Sequence, residues 1–108
     1  MLSVTNINIG DNNMLFVAEH THPASACPML TDGGKDMIKG LFSDEHIKSA
    51  GIELVGAYMS CPVDESANHK GYFIIESPDK ETIMQFFGPM KLLEIREVKP
   101  FSEIAKTL

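Results

Sequence analysis

The order of strand-like and helix-like segments along residues 14–108 is the feature that most constrains the fold. Apolar runs bounded by turn residues predict four strands, and apolar residues at helical spacing predict the helices between them. The predicted strands cover residues 14–22, 52–61, 69–76 and 92–98. Helices are predicted at about residues 35–49 and at residues 102–108. Another helix is predicted to begin at residues 77–78 and to end at residues 88–89. The order is therefore strand, helix, strand, strand, helix, strand, with a short terminal helix.

This order is the split βαβ, or ferredoxin-like, pattern of the α+β class. It predicts a four-stranded antiparallel sheet with both helices on one face. Two helices leave the second face uncovered, and such a face is most simply buried against another copy of the chain. We therefore expect a homodimer whose sheets pack face to face, as in a dimeric α+β barrel. At 108 residues, with 44% hydrophobic and 22% charged residues, the chain is long enough for one globular domain.

Residues 1–13 stand apart from the predicted domain of residues 14–108. Val4, Ile7 and Ile9 are apolar among polar neighbours, and residues 10–13, GDNN, form a turn signal. Because the next residue is a methionine that could serve as a start, we interpret the segment as an N-terminal extension. It would be an edge strand or a tail packed on a neighbour.

The charge balance limits the partners and the compartment. A net charge of −6 with scattered basic residues makes nucleic acid or an anionic membrane surface an unfavourable partner. No apolar segment has the length of a membrane span, and the first residues lack a signal-peptide pattern, so a cytoplasmic location is predicted. In that compartment the two cysteines are more typical of thiols, ligands or redox groups than of a structural disulfide. The seven methionines, spread from Met1 to Met90, are interpreted as adaptable core residues.

The segment HTHPASACP, residues 20–28, places two histidines and a cysteine where the first strand ends. Alternation along the strand directs His20 and His22 to the same face. In the spatial strand order four, one, three, two, the end of strand one lies beside the start of strand three, which carries His69. The end of strand two, with Cys61, joins the same edge. Three of the four histidines and both cysteines are thus expected at one end of the sheet.

This constellation predicts a metal site. Neutral imidazole and thiolate suit zinc, copper, nickel or iron better than magnesium or calcium. A trio of His20, His22 and Cys27 would leave an open position for water, a small ligand, or a fourth donor from Cys61 or His69. Other interpretations are strand-end histidines bonded to loop carbonyls, Cys27 as a small buried hydrophobe, Cys61 as a structural residue and His69 as a polar surface residue. A disulfide between the two cysteines that acts as a redox switch is a further alternative.

Other chemistry has less support in the sequence. There is no glycine-rich phosphate loop and no nucleophile elbow, so catalytic residues are unassigned. The alternative function is a small-molecule enzyme of the barrel type, cofactor-free or haem-dependent. Its apolar cavity would be lined by aromatic and methionine residues, namely Phe16, Tyr58, Met59, Tyr72 and Phe73. A further alternative is a non-catalytic partner-binding module that docks through residues 1–13. His46, on the first predicted helix, is interpreted as part of a solvated face.

From Met14 onward the chain resembles small uncharacterised bacterial and archaeal proteins with the dimeric α+β barrel fold. The resemblance rests on MLFVAEHTHPASACP, residues 14–28, and HKGYFIIESPDKETIMQFFGPMKLLEIREVKPFSEI, residues 69–104. More loosely, the chain is similar to nickel-binding ferredoxin-like proteins with histidines near the end of strand one. The resemblance implies the fold and a homodimer. It leaves the activity open, because this fold hosts monooxygenases, isomerases, haem enzymes and non-catalytic binders.

Overall fold

A computed structural model describes residues 12–61, 68–88, 90 and 92–108. These residues form strands β1 (Met14–Pro23), β2 (Glu53–Met59), β3 (Asn68–Ser77) and β4 (Leu92–Val98), and helices α1 (Asp32–Leu41), α2 (Asp44–Ala50), α3 (Lys80–Phe87) and α4 (Phe101–Ala105). Two short 3-10 helices, Ala24–Ala26 and Pro28–Leu30, connect β1 to α1. Most of the predicted extension of residues 1–13 lies outside the described residues. Within the described part of the chain, every helix is too short or too polar to cross a membrane.

The strands form one antiparallel sheet in the order β2-β3-β1-β4. The predicted α+β class and strand order are confirmed, and they are compatible with a ferredoxin-like fold. The central strand β1 pairs with β3 along its whole length, from Met14 opposite Ser77 to Pro23 opposite Asn68. The end of β1 therefore lies directly beside the start of β3, as the sequence predicted.

One face of the sheet forms the hydrophobic core with the helices. Phe16 and Ala18 of β1 are buried on this face together with Phe73 and Ile75 of β3. Helix α3 contributes three buried apolar side chains, which are Ile83, Phe86 and Phe87. Burial of each large apolar side chain contributes on the order of 1.5–3 kcal/mol, so this layer holds the helices against the sheet.

The opposite face of the sheet carries exposed aromatic side chains. Tyr58 and Tyr72 are paired across β2 and β3, and their exposed fractions are 63% and 42%. Close by, Lys70 forms an ion pair with Glu19 at 3.5 Å. The homodimer that was expected to bury this face stays a prediction.

The helix predicted over residues 35–49 is two helices. Helix α1 ends at Leu41, and α2 begins at Asp44 after an extended Ser43. The Ser43 side chain accepts a hydrogen bond from the backbone N–H of His46 at 3.2 Å, so it caps a new helix. Serine hydroxyls compete for backbone groups and favour helix starts over helix interiors. The apolar stripe continues across the break, which is why the spacing of apolar residues concealed it.

Two further helix starts differ from the prediction. Ser77 is the last residue of β3, and the cap of α3 is Asp79, whose side chain accepts a hydrogen bond from the first turn at 2.7 Å. The Ser77 hydroxyl instead donates to the carbonyl oxygen of Asp79 at 2.8 Å. The terminal helix begins at Phe101 rather than Ser102, without a side-chain cap, and ends at Ala105. In both places a neighbouring residue, not the serine, starts the helix.

Candidate metal centre

Four side chains from separate parts of the chain converge where β1 ends and β3 begins. They are His22, Cys27, Cys61 and His69, and one ligand-type atom of each lies within 4.8 Å of all the others. The Sγ of Cys61 is 3.4 Å from Nε2 of His22, 3.0 Å from Nδ1 of His69 and 3.5 Å from Sγ of Cys27. Cys61 therefore contacts each other member of this His/Cys cluster.

Strand pairing positions the two histidines of the cluster. His22 of β1 and His69 of β3 are directly opposite each other in the sheet, and directly paired residues project from the same face. Their ring centroids are 5.3 Å apart, with the rings nearly perpendicular at 83°. The hydroxyl of Thr21 donates to the carbonyl oxygen of His69 at 3.1 Å and fixes the strands at this point. The pair of imidazoles is thus a consequence of sheet register.

Cys61 is positioned by hydrogen bonds just beyond the end of β2. The backbone N–H of Ser60 donates to the carbonyl oxygen of Lys70 at 2.8 Å, and the N–H of Lys70 donates to the Ser60 hydroxyl at 2.8 Å. This reciprocal pair extends the contact of the two chain segments past Met59. Because Lys70 follows His69, it brings Cys61 beside the His69 ring.

Cys27 reaches the cluster from the turn between β1 and α1. The following Pro28 disfavours helical geometry at Cys27, which has φ −62° and ψ 127°. The backbone of Cys27 is held by hydrogen bonds to Ala24 at 3.3 Å and from Leu30 at 3.0 Å. Gly34 of α1 lies so close that a Cβ there would be 2.1 Å from the Pro28 carbonyl oxygen. The lack of a side chain at Gly34 lets the helix start pack against the turn that carries Cys27.

His20 lies beside the cluster as a hydrogen-bond partner of one of its members. Its Nε2 is 3.0 Å from Nδ1 of His22, while the other ring nitrogen of His22 faces Cys61. His20 is buried, with only 8% of its surface exposed. A hydrogen bond to the second nitrogen of a ligating histidine sets the ring's orientation and tautomer. The geometry thus supports a positioning role for His20, and its predicted role as a ligand stays a prediction.

The electrostatic environment keeps His22 in its neutral form. Burial lowers the pKa of His22 below its ordinary value of 6.5, and the nearby His20 and His69 lower it further. A neutral imidazole has a nitrogen lone pair available for a metal ion, whereas a protonated ring does not. At neutral pH, His22 is therefore ready to ligate without first losing a proton.

The distances from the Cys61 sulfur are close to those of a four-coordinate site. Zinc–sulfur bonds of about 2.3 Å and zinc–nitrogen bonds of about 2.0–2.1 Å place tetrahedral donor atoms roughly 3.3–3.8 Å apart. The three distances from the Cys61 sulfur, between 3.0 and 3.5 Å, are close to this range. Small side-chain movements would therefore admit an ion. Two thiols and two imidazoles would fill all four positions of a tetrahedron.

A cavity of about 10 Å³ adjoins the cluster. Its lining includes His22 and Cys61 of the cluster, and also His20. Three methionines, Met29, Met59 and Met90, line it as well. A space of this size admits a single ion or water molecule but no organic cofactor such as haem. The methionines had been interpreted as dispersed core residues, and their convergence here had no signal in the sequence. Methionine thioethers are soft ligands of the kind that suits zinc or monovalent copper.

The residues predicted to line a cofactor cavity do not share one cavity in the described part of the chain. Phe16 and Phe73 are packed in the core, where they are 1% and 0% exposed. Tyr58 and Tyr72 are exposed on the other face of the sheet, and Met59 lines the small cavity at the cluster. Their role as cofactor-binding residues stays a prediction.

His46 has a structural position that the sequence did not indicate. Its Nε2 lies 3.1 Å from the carbonyl oxygen of Phe86, and its ring stacks on the Phe86 ring with centroids 4.8 Å apart. The interpretation of His46 as part of a solvated helix face was wrong, because contacts with α3 half-bury it. These contacts lie outside the His/Cys cluster and make His46 a useful control residue.

Comparison with known proteins adds no family to this description. No protein-family model matches the chain, and no curated protein matches it.

Proposed function

We propose that this protein binds a transition-metal ion through His22, Cys27, Cys61 and His69. The observation that carries the proposal is the convergence of four ligand-type atoms, all within 4.8 Å of one another. Zinc and monovalent copper are the preferred ions, because both accept thiolate and imidazole ligands in four-coordinate sites. Nickel and iron are alternatives, of which nickel is compared in the assay below. In this proposal His20 positions His22 rather than ligating the ion.

The completeness of the ligand set favours metal binding over metal-dependent catalysis. Catalytic zinc sites keep one position open for water or substrate, whereas structural sites use four protein ligands. Two sulfur and two nitrogen donors leave no such position. The function proposed is therefore metal handling, metal sensing or metal-dependent stabilisation of the fold.

The proposal includes a second copy of the chain and a reducing compartment. The exposed Tyr58 and Tyr72 support burial of the open sheet face in a homodimer. The molar mass by light scattering should correspond to two chains, and a Tyr72→Lys substitution should shift it toward one. A single-chain mass for the unsubstituted protein at high concentration would contradict the dimer. A cytoplasmic location is proposed because thiol ligands persist there.

Metal titration of the metal-free, reduced protein tests the ligand set directly. The protein is titrated without oxygen with Zn²⁺, Cu⁺, Ni²⁺ and Co²⁺, and bound metal is measured after gel filtration. We expect one ion per chain, with sulfur-to-metal charge transfer and tetrahedral visible bands in the Co²⁺ form. Cys61→Ser should lose most of this binding, because Cys61 contacts all other cluster members.

A matched control separates a ligand effect from general damage. His46→Gln alters a histidine outside the cluster and should keep the metal stoichiometry of the unsubstituted protein. Circular dichroism establishes that each variant is folded, and Cys27→Ser replaces Cys61→Ser if the latter does not fold. Absence of bound metal in the unsubstituted protein, or equal binding in the serine variants, would overturn the proposal.

A further inference from the structure

We propose that Cys27 and Cys61 form a reversible dithiol–disulfide site in the metal-free protein, and that hydroperoxides oxidise it and thereby prevent metal binding. The effect on metal binding rests on the proposed function. The formation of the disulfide rests only on the positions of the two thiols. Oxidation would convert the cluster to a form that does not bind metal, and reduction would restore binding.

The geometry supports a bond between the two sulfurs. The Sγ atoms of Cys27 and Cys61 are 3.5 Å apart. A disulfide bond is about 2.05 Å long, so the sulfurs must approach by roughly 1.5 Å. Cys27 lies between two short 3-10 helices, and Cys61 lies in a turn after β2. Neither residue is inside a strand or an α-helix, so this movement requires no broken sheet hydrogen bonds.

Exposure assigns the order in which the thiols react. Cys27 is only 6% exposed, whereas Cys61 is half-buried. Because Cys61 is the more exposed residue, we expect a hydroperoxide in solution to react with its sulfur first. The Cys27 sulfur contacts the Cys61 sulfur and is therefore placed to react with the oxidised Cys61 and form the disulfide.

The chemistry balances with one hydroperoxide for each disulfide. The Cys61 sulfur attacks the terminal oxygen, the O–O bond breaks, and the thiol proton leaves with the alcohol product, or with water when the oxidant is hydrogen peroxide. Cys61 is then a sulfenic acid. The Cys27 sulfur attacks the Cys61 sulfur, an S–S bond forms, the S–O bond breaks, and hydroxide leaves as water with the Cys27 proton. Two thiols are oxidised by two electrons, and the hydroperoxide is reduced by two.

Oxidation would remove both sulfur ligands of the proposed metal site at once. Only His22 and His69 would remain of the four-residue set. Loss of a single outer partner of a ligand typically lowers metal affinity by about 10–100-fold, so loss of two ligands should lower it by more than about 100-fold. Bound metal should in turn slow disulfide formation, because both sulfurs are then engaged with the ion.

Peptide mapping of the full-length protein tests the proposal. Metal-free, reduced protein is treated with hydrogen peroxide, digested without reductant and analysed by mass spectrometry. We expect a cross-link within one chain between the peptides of Cys27 and Cys61, with the loss of two hydrogens, and dithiothreitol should reverse it. The affinity for Zn²⁺ should fall by more than about 100-fold on oxidation and recover on reduction. Protein loaded with Zn²⁺ beforehand should form the disulfide more slowly.

Serine variants test the order of reaction. With Cys27→Ser, a sulfenic acid should accumulate on Cys61 and be trapped by dimedone. With Cys61→Ser, labelling of the buried Cys27 should be slower. The chain contains only these two cysteines, so each adduct has one possible assignment.

The outcomes separate this inference from the proposed function. Formation of only intermolecular disulfides or sulfinic acids by the unsubstituted protein would overturn the dithiol site. Unchanged Zn²⁺ affinity after complete disulfide formation would overturn its effect on metal binding. If the reduced protein binds no metal but still forms the internal disulfide, the proposed function fails and the redox site stands.

Discussion

Replacement of His20 by alanine should weaken metal binding without changing the ligand set. The Nε2 atom of His20 lies 3.0 Å from Nδ1 of His22, and the opposite nitrogen of the His22 ring lies 3.4 Å from the Cys61 sulfur. This hydrogen bond is consistent with the orientation of the His22 ring, in which Nε2 faces the cluster. Without it, the His22 ring can rotate, and the ion must order it on binding.

The size of the expected loss in metal affinity follows from the contact that the His20→Ala substitution removes. A single hydrogen bond contributes about 0.5–1.5 kcal/mol net, and loss of an outer partner of a metal ligand lowers affinity by about 10–100-fold. That factor corresponds to about 1.4–2.7 kcal/mol of binding free energy. We therefore expect the His20→Ala affinity to fall by about 10–100-fold. His20→Gln should recover much of the loss, because its amide group reaches the region occupied by Nε2.

Competition with a chelating dye measures the Zn²⁺ affinity, and the visible spectrum of the Co²⁺ form reports the ligands. The band positions in His20→Ala should match those of the unsubstituted protein, and His46→Ala should leave both readouts unchanged. Unaltered affinity in folded His20→Ala protein would refute the positioning role. A shifted Co²⁺ spectrum in the same variant would identify His20 as a ligand.

Three further predictions concern the fold. Phe73 is fully buried, so Phe73→Ala should lower the free energy of unfolding in urea by about 3–5 kcal/mol, and a loss below about 1 kcal/mol would contradict the described core. Ser43→Ala removes the cap of α2 and should cost about 1 kcal/mol in the same assay, whereas no cost would argue against the cap. Metal-free protein should lose stability as the pH falls. Burial, followed by His20 and His69, lowers the pKa of His22, so its contribution is present above its ordinary pKa of 6.5 and is lost as the pH falls through the folded-state pKa. His22→Gln should flatten this part of the stability profile, and an unchanged profile would refute the assignment.

Sequence patterns were sufficient for the strand order and for the edge at which the candidate site forms. The period of two in β1 directed His20 and His22 to one face, and the antiparallel topology brought His69 beside them. Strand alternation and antiparallel pairing are properties of the backbone, which is regular enough to be inferred from sequence patterns. The expected pairing of His22 with the start of β3 followed from the same rules.

The detailed roles within the site depended on contacts that no local pattern specifies. Cys61 was expected only to assist, yet it contacts each other cluster residue because Ser60 and Lys70 hold it against His69. The orientation of His20 toward His22 depends on side-chain torsions rather than strand alternation. These are tertiary contacts, and they cannot be inferred from composition or from the spacing of residues.

The break between α1 and α2 is a different case, because the sequence did contain a signal. Ser43 is followed by Asp44 and Glu45, and serine before acidic residues is typical of a helix start. The stripe of apolar residues through Phe42 and Ile47 obscured it. At this break, the capping residue indicates the helix boundary correctly, whereas the periodicity of the apolar residues does not.

The direct pairing of His22 with His69 also bears on how the chain reaches its native state. A slip of one residue between β1 and β3 would turn His22 to the opposite side of the sheet and separate it from Cys61. A chain trapped in that alignment would lack a complete coordination sphere. If the proposed metal binding holds, the ion would stabilise only molecules with the native alignment of β1 and β3, and misaligned molecules would be left to unfold and refold.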